Sequence, residues 1–134
     1  MGLSDSLVGA TVAVSDMDLA KEFYEGKLGL ANGQDQADGG RTYACGDGTT
    51  VHVYPSPGNA GQSGATIAGW WVDDVEATVD ELTQTGVTFE QYGEPLNTDV
   101  KGIARFPDGA AGAWFRDPDG NILAIGSREF AGRG

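Results

Sequence analysis

The sequence predicts an α+β fold made of two tandem βαβββ modules whose curved mixed sheets surround a cavity. Three observations support this. A strand–turn–helix phrase occurs twice, first over residues 12–28 and again over residues 68–85. A glycine-rich linker separates the two copies. Each copy is followed by short alternating segments typical of β-strands. Internal duplication of this kind determines the architecture of a chain before any other feature does.

The first module is predicted over residues 7–54 and begins with a strand whose alternation places Val12 and Val14 on one face. Either Asp16 or Ser15 is available as the N-cap of the helix that follows. The polar, glycine-rich residues after the helix predict at most a weak edge strand, and a hairpin then closes the module. The predicted elements are a strand at 8–14, a helix at 19–28, an edge segment at 31–40 and hairpin strands at 41–45 and 50–54.

The second module is predicted over residues 66–126, after a linker at 55–65 that contains PSPGNAGQSG. Its helix begins with a capping pattern in which Asp73 is followed three residues later by Glu76. Residues 127–134 carry no pattern and are predicted to be a frayed tail. The predicted elements are a strand at 66–72, a helix at 76–85, an edge-like strand at 87–92 and strands at 102–106, 113–116 and 121–126.

Composition argues against several classes of function. A formal net charge of −12 repels phosphate backbones, so we expect no nucleic-acid partner. Nothing approaches the roughly 18 apolar residues of a membrane span, and residues 1–7 lack the basic start and long apolar run of a secretory signal. The single cysteine, Cys45, cannot form an internal disulfide and is interpreted as a small strand residue. These features predict a cytoplasmic protein that does not bind membranes.

Four phrases in the sequence carry a resemblance to a known family. They are Val14-x-Asp16, Phe23-Tyr24 with Leu28-Gly29-Leu30, Val72-Asp73-Asp74 and Phe115-Arg116-Asp117-Pro118-Asp119-Gly120-Asn121. With these phrases the chain resembles the vicinal oxygen chelate superfamily, which includes glyoxalase I, bleomycin-resistance proteins and extradiol dioxygenases. The resemblance covers residues 7–126 and implies a homodimer, since many relatives pair through sheet edges. It implies no single activity, because members of the superfamily isomerise, cleave, conjugate or only bind.

The resemblance also implies where a metal would be held, at one position on each of the first, fourth, fifth and eighth strands. In this sequence those positions are Gly9, His52, Ile67 and Ala124. Three of the four side chains donate no electron pair, and a lone imidazole holds a divalent ion weakly. A register shifted by one residue offers no better set. We therefore expect a metal-free protein with no cofactor.

Without these donors, the concave face is predicted to be apolar and aromatic. Alternation places Trp71 on that face and Trp70 against the helix. Trp71 and Tyr54 either stack on a planar or cationic ligand or fill the core. His52 either hydrogen-bonds a ligand, acts as a general base or is an ordinary strand histidine. The candidate ligand-binding residues are His52, Tyr54, Trp71, Tyr43, Trp114 and Arg105, with the facing of Tyr43 and Trp114 left open.

Three functional hypotheses follow from these observations. The preferred one is a metal-independent protein that binds a small, partly aromatic molecule in an apolar cavity, for sequestration or resistance. The alternative is an enzyme of the same superfamily (a lyase, isomerase or dioxygenase) with an atypical metal site or with acid–base chemistry by His52. In that case Tyr54, Glu94 or Asp99 would supply the second group. The third hypothesis is an accessory domain without a small ligand.

Overall fold

The computed structural model describes residues 2–131, including the side chains of residues 2–129. Within this part of the chain the α-helices and strands are β1 (Gly9–Val14), α1 (Met17–Lys21), β2 (Gln34–Asp35), β3 (Arg41–Ala44), β4 (Thr50–Pro55), β5 (Thr66–Val72), α2 (Val75–Gln84), β6 (Ile103–Arg105), β7 (Ala111–Arg116) and β8 (Ile122–Ser127). They form two mixed sheets, with strand orders β1-β4-β3-β2 and β5-β8-β7-β6. Each sheet has one parallel pair, β1 with β4 and β5 with β8. The predicted pair of βαβββ modules is confirmed.

Both α-helices are short and begin at an aspartate. Asp16 caps α1 by accepting from the backbone N–H of Leu19 at 3.2 Å, and α1 continues into a π-helical turn, Glu22–Lys27. The cap of α2 is Asp74, which accepts from the backbone N–H of Ala77 at 2.9 Å. No helix within residues 2–131 is long and apolar enough to span a membrane.

The capping pattern predicted to begin at Asp73 is wrong by one residue. The carboxylate of Asp73 pairs with the guanidinium of Arg128 instead. Because Arg128 follows β8 directly, this partner is distant in sequence, and the local pattern could not reveal it.

The segment predicted as an edge strand at residues 87–92 does not form one. Phe89 makes an isolated β-bridge to Phe115, and the backbone N–H of Glu90 donates to the carbonyl of Trp114 at 2.8 Å. The edge of the second sheet is β6, which pairs antiparallel with β7. Val87 and Phe89 are both buried. Their spacing of two residues is the alternation of a strand, although the segment only lies against the sheet.

The two modules share one hydrophobic core on the helix side of their sheets. β1 and β5 lie in contact, and α1 and α2 cover β4 and β7–β8, respectively. The ring of Phe23 in the first module lies 6.2 Å from that of Phe115 in the second. The side of each sheet that points away from the helices, here called the open face, is left outside this core. Fully buried members of the core are Val12, Val14, Tyr24, Val53, Val79, Phe115 and Leu123.

Polar side chains join the turn between β7 and β8 to the start of the first helix. Asp119 accepts from the backbone N–H and the hydroxyl of Ser15, at 3.0 Å and 2.5 Å. Asp117, only 5% exposed, accepts from the hydroxyl of Tyr24 at 2.7 Å and from the side-chain amide of Asn121 at 2.8 Å. We call these five residues the clasp, because they link the two modules; Tyr24, Asp117 and Asn121 are buried, whereas the Ser15–Asp119 pair is exposed.

Candidate functional site

The open face of the second sheet carries an apolar cleft of about 370 Å³. This volume lies within the range usual for sites that bind small molecules. Among residues 2–129, whose side chains are described, the lining contains no charged side chain and consists of Thr66, Ile67, Ala68, Gly69, Trp71, Gly112, Trp114, Ala124, Ile125 and Gly126. Small and apolar side chains on β5, β7 and β8 therefore form the surface that a ligand would contact.

Trp71 and Trp114 are the aromatic side chains of the cleft. Trp71 is 50% exposed, whereas its neighbour Trp70 packs against the core, as strand alternation predicts. The ring of Trp114 lies edge-to-face against that of Tyr92, with centroids 5.8 Å apart and planes at 74°, an arrangement favoured between aromatic rings. The two indoles thus border the cleft from different strands, and Tyr92 supports one of them.

The sequence did not decide which face of the sheet the side chain of Trp114 points to. It also did not identify Gly112 as a residue of the site. The predicted strand began at residue 113, whereas β7 begins at Ala111. With the longer strand, Gly112 and Trp114 are two residues apart and share a face. The signal that could have found them is the alternation of β7, once its start is placed correctly.

His52 and Tyr54 lie on the first sheet and do not line the cleft. Their rings stack with centroids 5.8 Å apart. The Nδ1 atom of His52 is 2.8 Å from the hydroxyl of Thr42, and Nε2 is 2.7 Å from the carboxylate of Asp38. A neutral imidazole here donates from Nε2 and accepts the threonine hydroxyl at Nδ1. His52 would have to exchange one of these bonds before it could act as a base on a substrate.

The hydrogen bond between His52 and Asp38 changes the pKa of the Asp38 carboxylate. The hydrogen bond from His52 is the main reason that the pKa of Asp38 lies below its usual value, with a further contribution from the backbone N–H of Gly40. The arrangement therefore favours an ionised carboxylate beside the imidazole.

Tyr43 is placed away from the cleft by its position on β3. It pairs in register with Val51 and is 1% exposed, so it faces the core. Its hydroxyl donates to the carboxylate of Glu25 at 2.6 Å. Burial, and then this hydrogen bond, raises the pKa of Tyr43 above its usual range. The structure does not bring Tyr43 to the cleft that Trp71 and Trp114 border.

Arg105 also lies elsewhere, on the edge strand β6. Its guanidinium is exposed and pairs with Glu76 at 3.2 Å and with Asp99 at 3.5 Å. These two carboxylates belong to the surplus acidic residues of the chain. Arg105 therefore does not belong to the lining of the cleft.

A substitution of Glu25 tests the buried pairing of Tyr43 through pH. Hydrogen bonds from Tyr43 and from Arg41 hold the pKa of Glu25 below its ordinary value of 4.5. A carboxyl with a lowered native pKa adds stability above its ordinary pKa and loses it as the pH falls through the native pKa. We expect Glu25→Gln to lower the free energy of unfolding at neutral pH by about 1 kcal/mol, a modest value because the group is partly exposed. The loss should shrink progressively as the pH falls below 4.5.

Urea unfolding at a series of pH values measures this effect. Glu22→Gln is the matched control, because Glu22 is exposed on the same helical turn. If Glu25→Gln lowers the free energy of unfolding by the same amount at every pH, ionisation of the Glu25 carboxyl does not contribute to stability.

The positions at which the resemblance implies a metal do not supply a ligand set. Gly9, Ile67 and Ala124 carry no donor atoms, and both ring nitrogens of His52 already have partners. Among the described residues, no three or more His, Cys, Asp or Glu side chains are grouped so that they could hold a metal ion. An open catalytic site needs three or four such donors. A metal therefore does not fit at these four positions.

Residues 6–125 match the profile of the Glyoxalase/Bleomycin resistance protein/Dioxygenase superfamily. The chain belongs to this superfamily. The match spans both modules and includes the clasp, and it confirms the resemblance drawn from the four phrases. Comparison of this superfamily member with curated proteins gives no significant match.

Solved structures of other proteins share the fold of this glyoxalase-superfamily chain. A glyoxalase/bleomycin resistance protein from Catenulispora acidiphila DSM 44928 has a TM-score of 0.69 and 21% identity, covering 90% of this chain and 96% of that one. Lactoylglutathione lyase from Agrobacterium tumefaciens has a TM-score of 0.65 and 21% identity, covering 97% and 98%. TnmS3, an antibiotic-binding protein from Streptomyces sp. CB03234, has a TM-score of 0.66 and 25% identity, covering 95% and 98%. The likeness establishes a common architecture and leaves the activity to be argued from the site.

Proposed function

We propose that this chain is a metal-independent binding protein of the cytoplasm, which takes a small, partly aromatic molecule into the cleft for sequestration or resistance. The observation that carries the proposal is the pair of indoles, Trp71 and Trp114, at an apolar cleft without charged lining. Pockets for small molecules are mostly apolar and aromatic. The lack of donor atoms at Gly9, Ile67 and Ala124 supports metal independence. TnmS3, described as an antibiotic-binding protein, shows that a protein of this fold can bind a small molecule.

We further infer that the protein acts as a homodimer, as the family resemblance implies. Large apolar side chains that are exposed together often mark interaction surfaces. Leu3, Leu7 and Val8, near the start of the chain, are 85%, 76% and 78% exposed, and none of them lines the cleft. A second copy that covers these side chains would remove apolar surface from water and leave Trp71 accessible to a ligand.

A panel of aromatic small molecules tests the binding function. Saturable changes in tryptophan fluorescence, together with a raised melting temperature, are expected for at least one compound. Trp71→Ala should weaken that binding at least tenfold, about 1.4 kcal/mol, because it removes a stacking surface. Leu19→Ala is the control, since Leu19 is equally exposed, at 50%, and lies outside the cleft. If no compound changes either signal, the proposed function is wrong.

An enzyme of the superfamily is the second candidate, and the hydrogen-bonded chain Asp38–His52–Thr42 favours it. A carboxylate that orients an imidazole is a common feature of acid–base and nucleophilic sites. A glyoxalase assay with and without added nickel or zinc tests this possibility. Turnover that disappears in His52→Ala while ligand binding is retained would favour the enzyme over the binding protein.

A further inference from the structure

The floor of the cleft restricts the shape of the ligand. On the open face, the register between β5, β8 and β7 arranges six residues in two rows of three across the sheet. One row is Gly69, Ala124 and Trp114, and the other is Trp71, Gly126 and Gly112.

The two indoles stand at opposite corners of this grid, and the four remaining positions carry a methyl group or no side chain. Neighbouring strands lie about 4.8 Å apart, and alternate residues of a strand about 6.7 Å apart. The grid therefore measures about 10 Å by about 7 Å, close to the footprint of two or three fused six-membered rings. A Cβ atom added at Gly69 would lie 3.3 Å from the carbonyl oxygen of Ala124. The backbone itself is thus the surface on which a ligand would rest.

The chemistry of the lining restricts the charge of the ligand. No lysine, arginine, aspartate or glutamate is among the lining residues within the described part of the chain. A charged group seated on this floor would lose hydration without gaining an ionic partner, which costs free energy. The formal net charge of −12 further disfavours the approach of anions. Aromatic faces and the negative net charge attract cations, but no carboxylate among the described lining residues would offset the hydration that a cation loses on this floor.

We propose that the cleft takes a flat, uncharged aromatic molecule of two or three fused rings, which lies on the glycine–alanine floor between Trp71 and Trp114. This inference rests on the proposed binding function and specifies its ligand. A saturated ring system of the same skeleton is puckered, so it makes fewer close contacts with the floor. It also lacks the π-system that interacts with the indoles.

Nuclear magnetic resonance of the tryptophan indole N–H groups tests the proposal. The three indole signals are assigned with single Trp→Phe variants, and the protein is titrated with 2-naphthol. We expect the signals of Trp71 and Trp114 to shift saturably and that of Trp70, which packs on the core side, to stay unchanged. Decahydro-2-naphthol, naphthalene-2-sulfonate and N-methylquinolinium should each bind at least tenfold more weakly than 2-naphthol.

A substitution in the floor provides an independent test. Ala124→Leu places a larger side chain at the centre of one row and leaves both indoles in place, so 2-naphthol should bind at least tenfold more weakly. Ala44→Leu is the matched control, because Ala44 is an exposed strand residue of the first sheet. The comparison of ligands does not depend on this variant, so the proposal stays testable even if Ala124→Leu does not fold.

The results of these experiments distinguish failure of the proposed ligand class from failure of the binding function. Equal or tighter binding of the saturated, anionic or cationic compound would overturn the proposed shape or charge and leave the binding function standing. Unaltered affinity in Ala124→Leu would also overturn the inference. If none of the four compounds shifts Trp71 or Trp114, and the wider aromatic panel changes no signal, the binding function itself fails.

Discussion

Asp117→Ala is expected to lower the free energy of unfolding by about 4 kcal/mol, because it removes the acceptor at the centre of the clasp. The carboxylate accepts from the Tyr24 hydroxyl at 2.7 Å, the Asn121 side-chain amide at 2.8 Å, and the backbone N–H groups of Asn121 and Asp119 at 2.9 Å and 3.0 Å. It is 5% exposed, and Tyr24 is completely buried. Without the carboxylate, the Tyr24 hydroxyl and the backbone N–H of Asn121 stay buried without a partner, and each costs about 1–3 kcal/mol.

Urea unfolding measures this cost, and two variants make it specific. Asp108→Ala is the matched control: Asp108 accepts from the backbone N–H of Ala110 at 2.9 Å but lies in an exposed turn, so the loss should stay near 1 kcal/mol. Tyr24→Phe removes one hydrogen-bond donor and leaves no buried donor without an acceptor. It should therefore lower the free energy of unfolding by less than Asp117→Ala does. If Asp117→Ala and Asp108→Ala cost the same, the clasp does not hold the modules together.

The clasp also explains why the family phrase at residues 117–121 is informative beyond its turn chemistry. The sequence predicts a tight turn there from its proline and glycine. The structure adds that the side-chain amide of Asn121 donates to the carbonyl of Ala13 at 2.8 Å and that its oxygen accepts from the backbone N–H of Gly61 at 3.0 Å. One turn thus contacts β1 and the linker. Such partners are far apart in sequence, so no local pattern encodes them.

The fold could be predicted because it depends on repeated local signals. Alternation in β1 and β5, the cap of α1 and turns rich in glycine each act within a few residues. The errors occur where a distant contact decides the outcome. Arg128 draws Asp73 away from the helix cap, and the segment with Phe89 packs on the sheet without joining it.

The candidate site was predicted only in part, for a related reason. Trp71 follows from the alternation of β5, which pairs with β8 without interruption from Ala68 onwards, and the structure places it at the cleft. Tyr43 was an open choice, because the facing of a short hairpin strand depends on its register with a neighbour. One of the two partners of His52 is Asp38, in a loop without a sequence signature. The sequence identifies the candidate residues, but which of them contact each other depends on the three-dimensional arrangement.

Phe115→Ala is expected to lower the free energy of unfolding by about 4 kcal/mol through the cavity it leaves. Phe115 is fully buried, and its ring lies 5.5 Å from that of Phe89 and 6.2 Å from that of Phe23. It follows Trp114 directly on β7, so the two side chains point to opposite faces of the sheet. Loss of packing on the core side should therefore also loosen the indole that borders the cleft, and ligand affinity should fall in the same variant.

Phe23 provides the decisive comparison, because it lies in the first module and Phe115 in the second. Phe115→Leu keeps most of the apolar volume and should cost only about 1–2 kcal/mol. In a double-mutant cycle, Phe23→Ala and Phe115→Ala should show a coupling free energy of about 1 kcal/mol, because each removes a contact of the other. A coupling near zero would mean that the modules pack independently. A clear coupling would mean that the core behind the second sheet, and with it the position of Trp114, depends on a side chain from the first module.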